Sequence, residues 1–135
     1  MPILNVKLSS PRMAAGIPQV AATLTRLTHQ ILRKDPALTA VAIDQVPAEQ
    51  WFIAGTSLAE AQLASFWLDI VVVDGTNTKD EKAAYVAAVF EAMSALLGPL
   101  HPESYVLVRE VKADAYGYGG QTQERRYVER KMNAA

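Results

Sequence analysis

The sequence predicts an α+β fold, with two consecutive βαβ units forming one four-stranded mixed sheet and two helices on one of its faces. Three observations carry this. Leu4, Val6 and Leu8 alternate with Asn5 and Lys7, the period-two pattern of a strand with one buried face. Ile17, Val20, Ala21, Leu24, Leu27, Thr28 and Ile31 recur at helical spacing and fall on one side of a helix. The order strand, helix, strand then returns in the second half, so that pseudo-repeats over about residues 2–55 and 65–120 make up a single domain, 1–135, with a tail over 121–135.

Each element has its own signals. Ser10-Pro11 offers a helix start, but Gly16 and Pro18 place the regular first helix from near Pro18 to Lys34-Asp35-Pro36, which ends it. A β-branched run from about Leu38 to Val46 predicts the second strand, and Pro47 to Gly55 a turn with a short apolar segment. Residues 56–64 read as a connector. Phe66 to Val73 is almost continuously apolar, as expected of a strand buried on both faces. Thr78-Lys-Asp-Glu81 is a capping box that opens a second helix burying Val86, Val89, Phe90, Met93, Leu96 and Leu97. Gly98-Pro99 stops it, Tyr105 to Val111 is the fourth strand, and the glycine-rich stretch after Tyr116 allows no regular element before Arg125. In a parallel crossover both helices cover the same side of the sheet, and an uncovered apolar face calls for self-association.

Composition narrows the function classes. The 135 residues carry a net charge of −1, which argues against a nucleic-acid or membrane partner. No cysteine is present, which removes disulfides, thiol nucleophiles and thiolate metal sites. His29 and His101 alone fall short of a metal-ligand cluster, so neither metal nor other cofactor is expected. With no signal-like or membrane-spanning run, the expected location is cytoplasmic.

The chemistry-bearing stretch is the first strand and its turn. Initiator methionine is removed before a small residue, which would leave Pro2 as a free secondary amine. An α-amine titrates near ~8, and desolvation lowers it further, which suits a base working near neutral pH. Ten positions on, Arg12 offers a cation able to hold a carboxylate or stabilise an enolate. The structural alternative is a proline tolerated at a strand start and a solvated arginine.

Pro2-Ile3 opening a strand, Arg12 in the next turn, Trp51-Phe-Ile-Ala-Gly55, Asp74-Gly75 before a capped helix and Tyr116-Gly-Tyr-Gly-Gly120 form an ordered set. This set resembles the tautomerase superfamily, which includes 4-oxalocrotonate tautomerase and cis-3-chloroacrylic acid dehalogenase, over nearly the whole chain. The resemblance implies a homotrimer of double βαβ protomers of the kind also seen in macrophage migration inhibitory factor. It implies Pro2 as the catalytic residue, Arg12 as the binder of a small-molecule carboxylate substrate, and His29 at the position of an active-site histidine. Trp51 or Tyr116 matches the aromatic residue that keeps the proline's surroundings apolar. Each has a structural alternative: His29 as a surface residue on the polar flank of its helix, the aromatics as core or interface filling.

Departures from the pattern restrict the reaction. The dehalogenase branch has two arginines in the turn after the third strand, where this chain has Asp74-Gly-Thr-Asn77, and its water-activating glutamate has no counterpart near Tyr116. A second arginine of the short tautomerases falls on Ala42 and Tyr105, and the third strand opens on Phe66, which leaves one proline site per protomer. The expected activity is keto–enol tautomerisation of a 2-keto or 2-hydroxydienoate acid, with Pro2 as base and Arg12 as anion clamp. Tyr105, Arg109 or Tyr116 are the candidate donors to the enolate oxygen, although Arg109 also reads as a salt-bridged edge residue. The alternatives are a hydratase, dehalogenase or decarboxylase using Pro2 as acid or imine former, and a non-enzymatic trimeric binding protein. Tyr118, Arg125 and Arg126 are assigned no role.

Overall fold

A computed structural model of the chain describes residues 2–134; Met1, whose removal is expected, and Ala135, the end of the expected tail, lie outside the described residues. In chain order the elements are β1 (Ile3–Ser9), α1 (Ile17–Leu32), β2 (Ala40–Gln45), the short strands β3 (Phe52–Ile53) and β4 (Thr56–Ser57), and α2 (Leu58–Ala61). They continue with β5 (Ser65–Val73), α3 (Lys79–Leu97), β6 (Tyr105–Val111), β7 (Gly117–Tyr118), β8 (Gln121–Thr122) and α4 (Gln123–Asn133). Among the described residues, four long strands make one mixed sheet in the order β2-β1-β5-β6. Within each unit the pairing is parallel, Ile3 opposite Ala40 and Trp67 opposite Tyr105, while β1 and β5 run antiparallel with Ile3 opposite Val71. The start of β1 therefore lies beside the ends of β5 and β6. That polarity decides which candidate residues can meet.

The period-two pattern does what it predicts. Leu4, Val6 and Leu8 of β1 and Phe66, Leu68, Ile70 and Val72 of β5 are at most 2 % exposed and pack under α1 and α3. β5 departs from the expectation of burial on both faces. Its alternate residues Trp67, Asp69, Val71 and Val73 are only half-buried, because no helix among the described residues packs over that side. The open face carries the Trp67–Tyr105 ring pair, with centroids 5.9 Å apart, and exposed Leu107. On it Arg109 donates to Asp69 at 2.8 Å, the salt-bridged alternative for that residue.

Helix ends follow their local chemistry. Gly16 caps α1, with Pro18 in its first turn, and the Ser10 hydroxyl instead donates to Leu97 O at 2.6 Å, so no helix opens at Ser10-Pro11. At α3 the Thr78 hydroxyl accepts from the Glu81 amide at 3.1 Å, and the Glu81 carboxylate accepts from the Thr78 amide at 2.8 Å. The buried row of α3 is Tyr85, Val89, Met93 and Leu97. Val86 and Phe90, expected inside, lie on its exposed edge, because the core faces the i, i+4 row that begins at a tyrosine.

Tyr85 is fully buried and meets Thr28 Oγ1 at 2.8 Å; Thr28 in turn donates to Leu24 O, so the phenol has a satisfied acceptor. Burial pushes the phenol up to about 12, partly opposed by Thr28. A folded-state value above the unfolded ~10 means that stability is complete below pH 10 and is lost as pH rises toward 12. Tyr85→Phe is expected to cost about 1 kcal/mol at pH 7 by losing one buried hydrogen bond. Urea melts from pH 9 to 11 are expected to show a smaller decline in stability for the variant than for the parent. Parallel declines would contradict this assignment.

The stretches that sequence patterning left irregular are folded. Ser57 caps α2 and Thr122 caps α4, so a hairpin followed by a helix closes each half of the chain. Pro36–Leu38 is a 3-10 turn capped by Asp35, which shortens the expected second strand at its start. No helix among the described residues is long and apolar enough to cross a membrane.

Candidate active site

β1 places Pro2 at the sheet end where β5 and β6 finish. Its carbonyl accepts from the Ala40 amide at 3.1 Å, which fixes it beside the start of β2. Pro2 is buried and lines a cavity of about 360 Å³ shared with Ile3, Leu38, Ala40, Tyr116 and Tyr118. None of the cavity's lining side chains among the described residues is charged. Such walls disfavour an ammonium ion and so favour a neutral amine.

Tyr116 enters the same cavity from the junction between a 3-10 turn, Ala113–Ala115, and β7. Its phenol lies 3.5 Å from Val71 O and takes a hydrogen bond from the Ile3 amide, so it straddles the terminal Ile3–Val71 pair beside the proline. Burial holds its pKa above the ordinary phenol range, the Ile3 amide pulling the other way, and the group is a proton donor at neutral pH.

The remaining expected residues do not join them within one chain. Arg12 follows the far end of β1, and the six-step strand from Ile3 to Ser9 spans roughly 20 Å at the usual rise. It borders a separate small cavity with Ser10, Gln62 and Pro99. Trp51 is half-buried beside the β3–β4 hairpin at that same far end, with its carbonyl accepting from the Leu58 amide at 2.9 Å. Tyr105 is exposed at the start of β6 and donates to Glu103, whose hydrogen bond and charge push the phenol up. His29 is exposed on α1, its Nδ1 3.1 Å from Lys34 O, and it does not line the Pro2 cavity. Arg12 and Trp51 follow the ends of the parallel strands β1 and β2, which finish away from Pro2, and the antiparallel β1–β5 pairing puts the start of β6, with Tyr105, at that same end.

Two features escaped sequence reasoning. Tyr118 and Leu38 wall the Pro2 cavity, and beyond them α4 brings Arg126 against the Tyr118 ring, its guanidinium carbon 3.9 Å from the ring centre. The signal was present in the two aligned stretches Trp51-Phe-Ile-Ala-Gly55 and Tyr116-Gly-Tyr-Gly-Gly120, each followed by a hydroxyl cap. Among the described residues no group of three His, Asp or Glu side chains is placed to hold a metal.

Known proteins carry the same architecture. No family model matches the chain. A probable tautomerase K2 from Dickeya dadantii (strain 3937) is 36 % identical over 61 residues, which is 44 % of this chain and 91 % of that protein. A fused 4-OT wild-type symmetric trimer superposes with a TM-score of 0.76 at 22 % identity, over 90 % of this chain and 96 % of its own. N1, a member of the cis-3-chloroacrylic acid dehalogenase family, does so at 0.69 and 20 %, over 93 % and 90 % of the two chains. At those identities the solved structures speak for the fold, an α+β sheet of paired βαβ units; the lineage rests on the tautomerase relative, of which the chain covers 91 %. The chain belongs to the tautomerase superfamily.

Proposed function

We propose that this protein is a keto–enol tautomerase acting on a small 2-keto or 2-hydroxydienoate acid, with Pro2 as its general base. The observation that carries the reading is the burial of Pro2, beside the Tyr116 phenol, in a cavity whose walls are uncharged. With Met1 removed, the Pro2 nitrogen is a secondary amine whose neutral form the walls favour. It takes a proton from the carbon next to the substrate carbonyl, Tyr116 donates to the developing enolate oxygen, and the proton returns at another carbon. The name of the Dickeya relative, a probable tautomerase, points to the same isomerisation.

Arg12 is the carboxylate binder in this reading, and it acts across protomers. An arginine–carboxylate hydrogen bond spans about 2.8 Å, whereas a strand of roughly 20 Å separates Arg12 from its own Pro2. A second copy docked with its Arg12 end against the Pro2 cavity supplies the cation. The open sheet face, with Trp67, Val71, Tyr105 and Leu107, offers apolar surface for such association, and a homotrimer is the assembly that the fused 4-OT comparison suggests.

The test is ketonisation of the enols of phenylpyruvate and 2-hydroxymuconate, followed by loss of enol absorbance, with the mass of the protein measured beside it. Protein that starts at Pro2 is expected to accelerate the reaction, and protein that retains Met1 is expected not to. No acceleration of any small 2-keto enol by protein starting at Pro2 would sink the reading.

A further inference from the structure

The two halves of the chain end in the same device, built from different residues. In each, a hairpin is followed by a capped helix whose first amide returns to the aromatic residue before the hairpin: Leu58 N to Trp51 O at 2.9 Å, Gln123 N to Tyr116 O at 2.8 Å. Ser57 and Thr122 cap at matching places, accepting from the Glu60 and Arg125 amides at 3.1 and 3.0 Å. Ala54 and Gly119 both open their turns with positive φ, 53° and 60°. This correspondence pairs Leu58 with Gln123, Ala61 with Arg126 and Ala54 with Gly119.

All three differences point one way. Leu58 is an apolar core residue, whereas Gln123 is 7 % exposed and its Nε2 has no hydrogen-bond partner among the described residues. Ala61 is replaced by an arginine whose Nη2 donates to Tyr118 O at 3.0 Å, while its buried Nε likewise has no partner among the described residues. At Gly119 the absence of a side chain leaves room for the arginine, since a Cβ there would lie 2.8 Å from Arg126 Nη2. Gln123 and Arg126 line one cavity of about 210 Å³ with Arg130, and Leu38 and Tyr118 are common to it and to the Pro2 cavity. Glu129 also borders it, but its carboxylate is held by Arg125 at 3.0 Å. Burying donors without acceptors is unfavourable, and Gln123 Nε2 and Arg126 Nε are two such donors in one cavity at the end of the sheet that holds the amine; at the other end Ser9 Oγ is a buried hydroxyl without a partner among the described residues.

We propose that the α4 cavity is a carboxylate-binding subsite of the Pro2 centre, in which Gln123 Nε2, Arg126 and Arg130 hold a ligand carboxylate. Calling it a subsite rests on the tautomerase reading; its ability to bind a carboxylate does not. A planar carboxylate can accept from the free guanidinium edge and from the amide together, satisfying both orphaned donors. Tyr118, stacked under Arg126, then separates the held group from the reacting end of the ligand.

The experiment is a titration of the full-length protein with butyrate, followed by ¹⁵N spectra of the Gln123 side-chain amide and the Arg126 Nε–H, with butyramide as the uncharged control. Saturable downfield shifts with butyrate alone are expected. Gln123→Leu and Arg126→Gln are each expected to weaken butyrate binding at least tenfold. Gln123→Leu restores the residue that the first half carries at this place, so it is also expected to raise the melting temperature of the ligand-free protein by a few degrees. No saturable response, or an affinity in both variants unchanged from that of the parent, overturns the proposal. Butyrate does not need turnover: binding without any tautomerase activity removes the reading of Pro2 and leaves the subsite, and Pro2-dependent activity without binding does the reverse.

Discussion

Pro2→Ala is expected to lower kcat/KM for ketonisation by about 100-fold, the lower range for loss of a positioned general base. The variant keeps an amine, so the loss measures tuning and position rather than the presence of nitrogen. Alanine offers a primary amine with the ordinary affinity for protons near ~8, free to rotate and better hydrated than a ring nitrogen. The fold is expected to survive, because the carbonyl of residue 2 still accepts from the Ala40 amide and β1 keeps its pairs with β2 and β5. An unfolded variant would show in circular dichroism, so a loss of rate with native spectra is attributable to the site. Unchanged turnover of every enol tested would remove Pro2 from the chemistry.

Arg12→Ala is expected to cost about as much, mostly in KM, since a charge-assisted contact to a carboxylate contributes roughly 1.5–3 kcal/mol. The sharper result comes from mixing. Pro2→Ala and Arg12→Ala chains, unfolded together and refolded, form sites at random from both. If Arg12 serves the Pro2 cavity of another copy, about a quarter of the sites receive an intact pair and activity returns to that level. If both residues acted within one chain, no mixture would restore activity. Absence of recovery would leave the α4 cavity to hold the substrate carboxylate.

The fold was legible because its signals are local. Alternation in β1, the helical period of α1, the Thr78–Glu81 box and the Gly98-Pro99 stop each act over a few residues, and each appears where sequence patterning puts it. Between the two aromatics that the sequence offered beside Pro2, Trp51 and Tyr116, the choice depended on strand direction: Tyr116 follows β6, and antiparallel β1–β5 pairing brings that point beside the start of β1. Strand direction misled the placement of Arg12 and Trp51, which follow the ends of β1 and β2, and of Tyr105, which β1–β5 pairing sends to the far end. Ten positions from Pro2 in sequence becomes the opposite end of a sheet once the intervening residues are extended. Tyr85 is absent from the buried row that the pattern predicts for α3; Thr28, on another helix, supplies the partner that its buried hydroxyl needs. Gln123 and Arg126 were silent because a polar, arginine-rich tail suits a site, an interface or solvent alike; only the α4 helix capped by Thr122 brings the two residues to one cavity.

A pH–rate profile for ketonisation of phenylpyruvate enol, run on protein confirmed by mass to start at Pro2, tests the central claim most directly. A neutral amine favoured by uncharged walls requires a rising limb with an apparent pKa below the ordinary α-amine value of ~8, displaced upward or abolished in Pro2→Ala. A profile that is flat through this range, or a limb that stays in place in the variant, would show that the Pro2 amine is not the base.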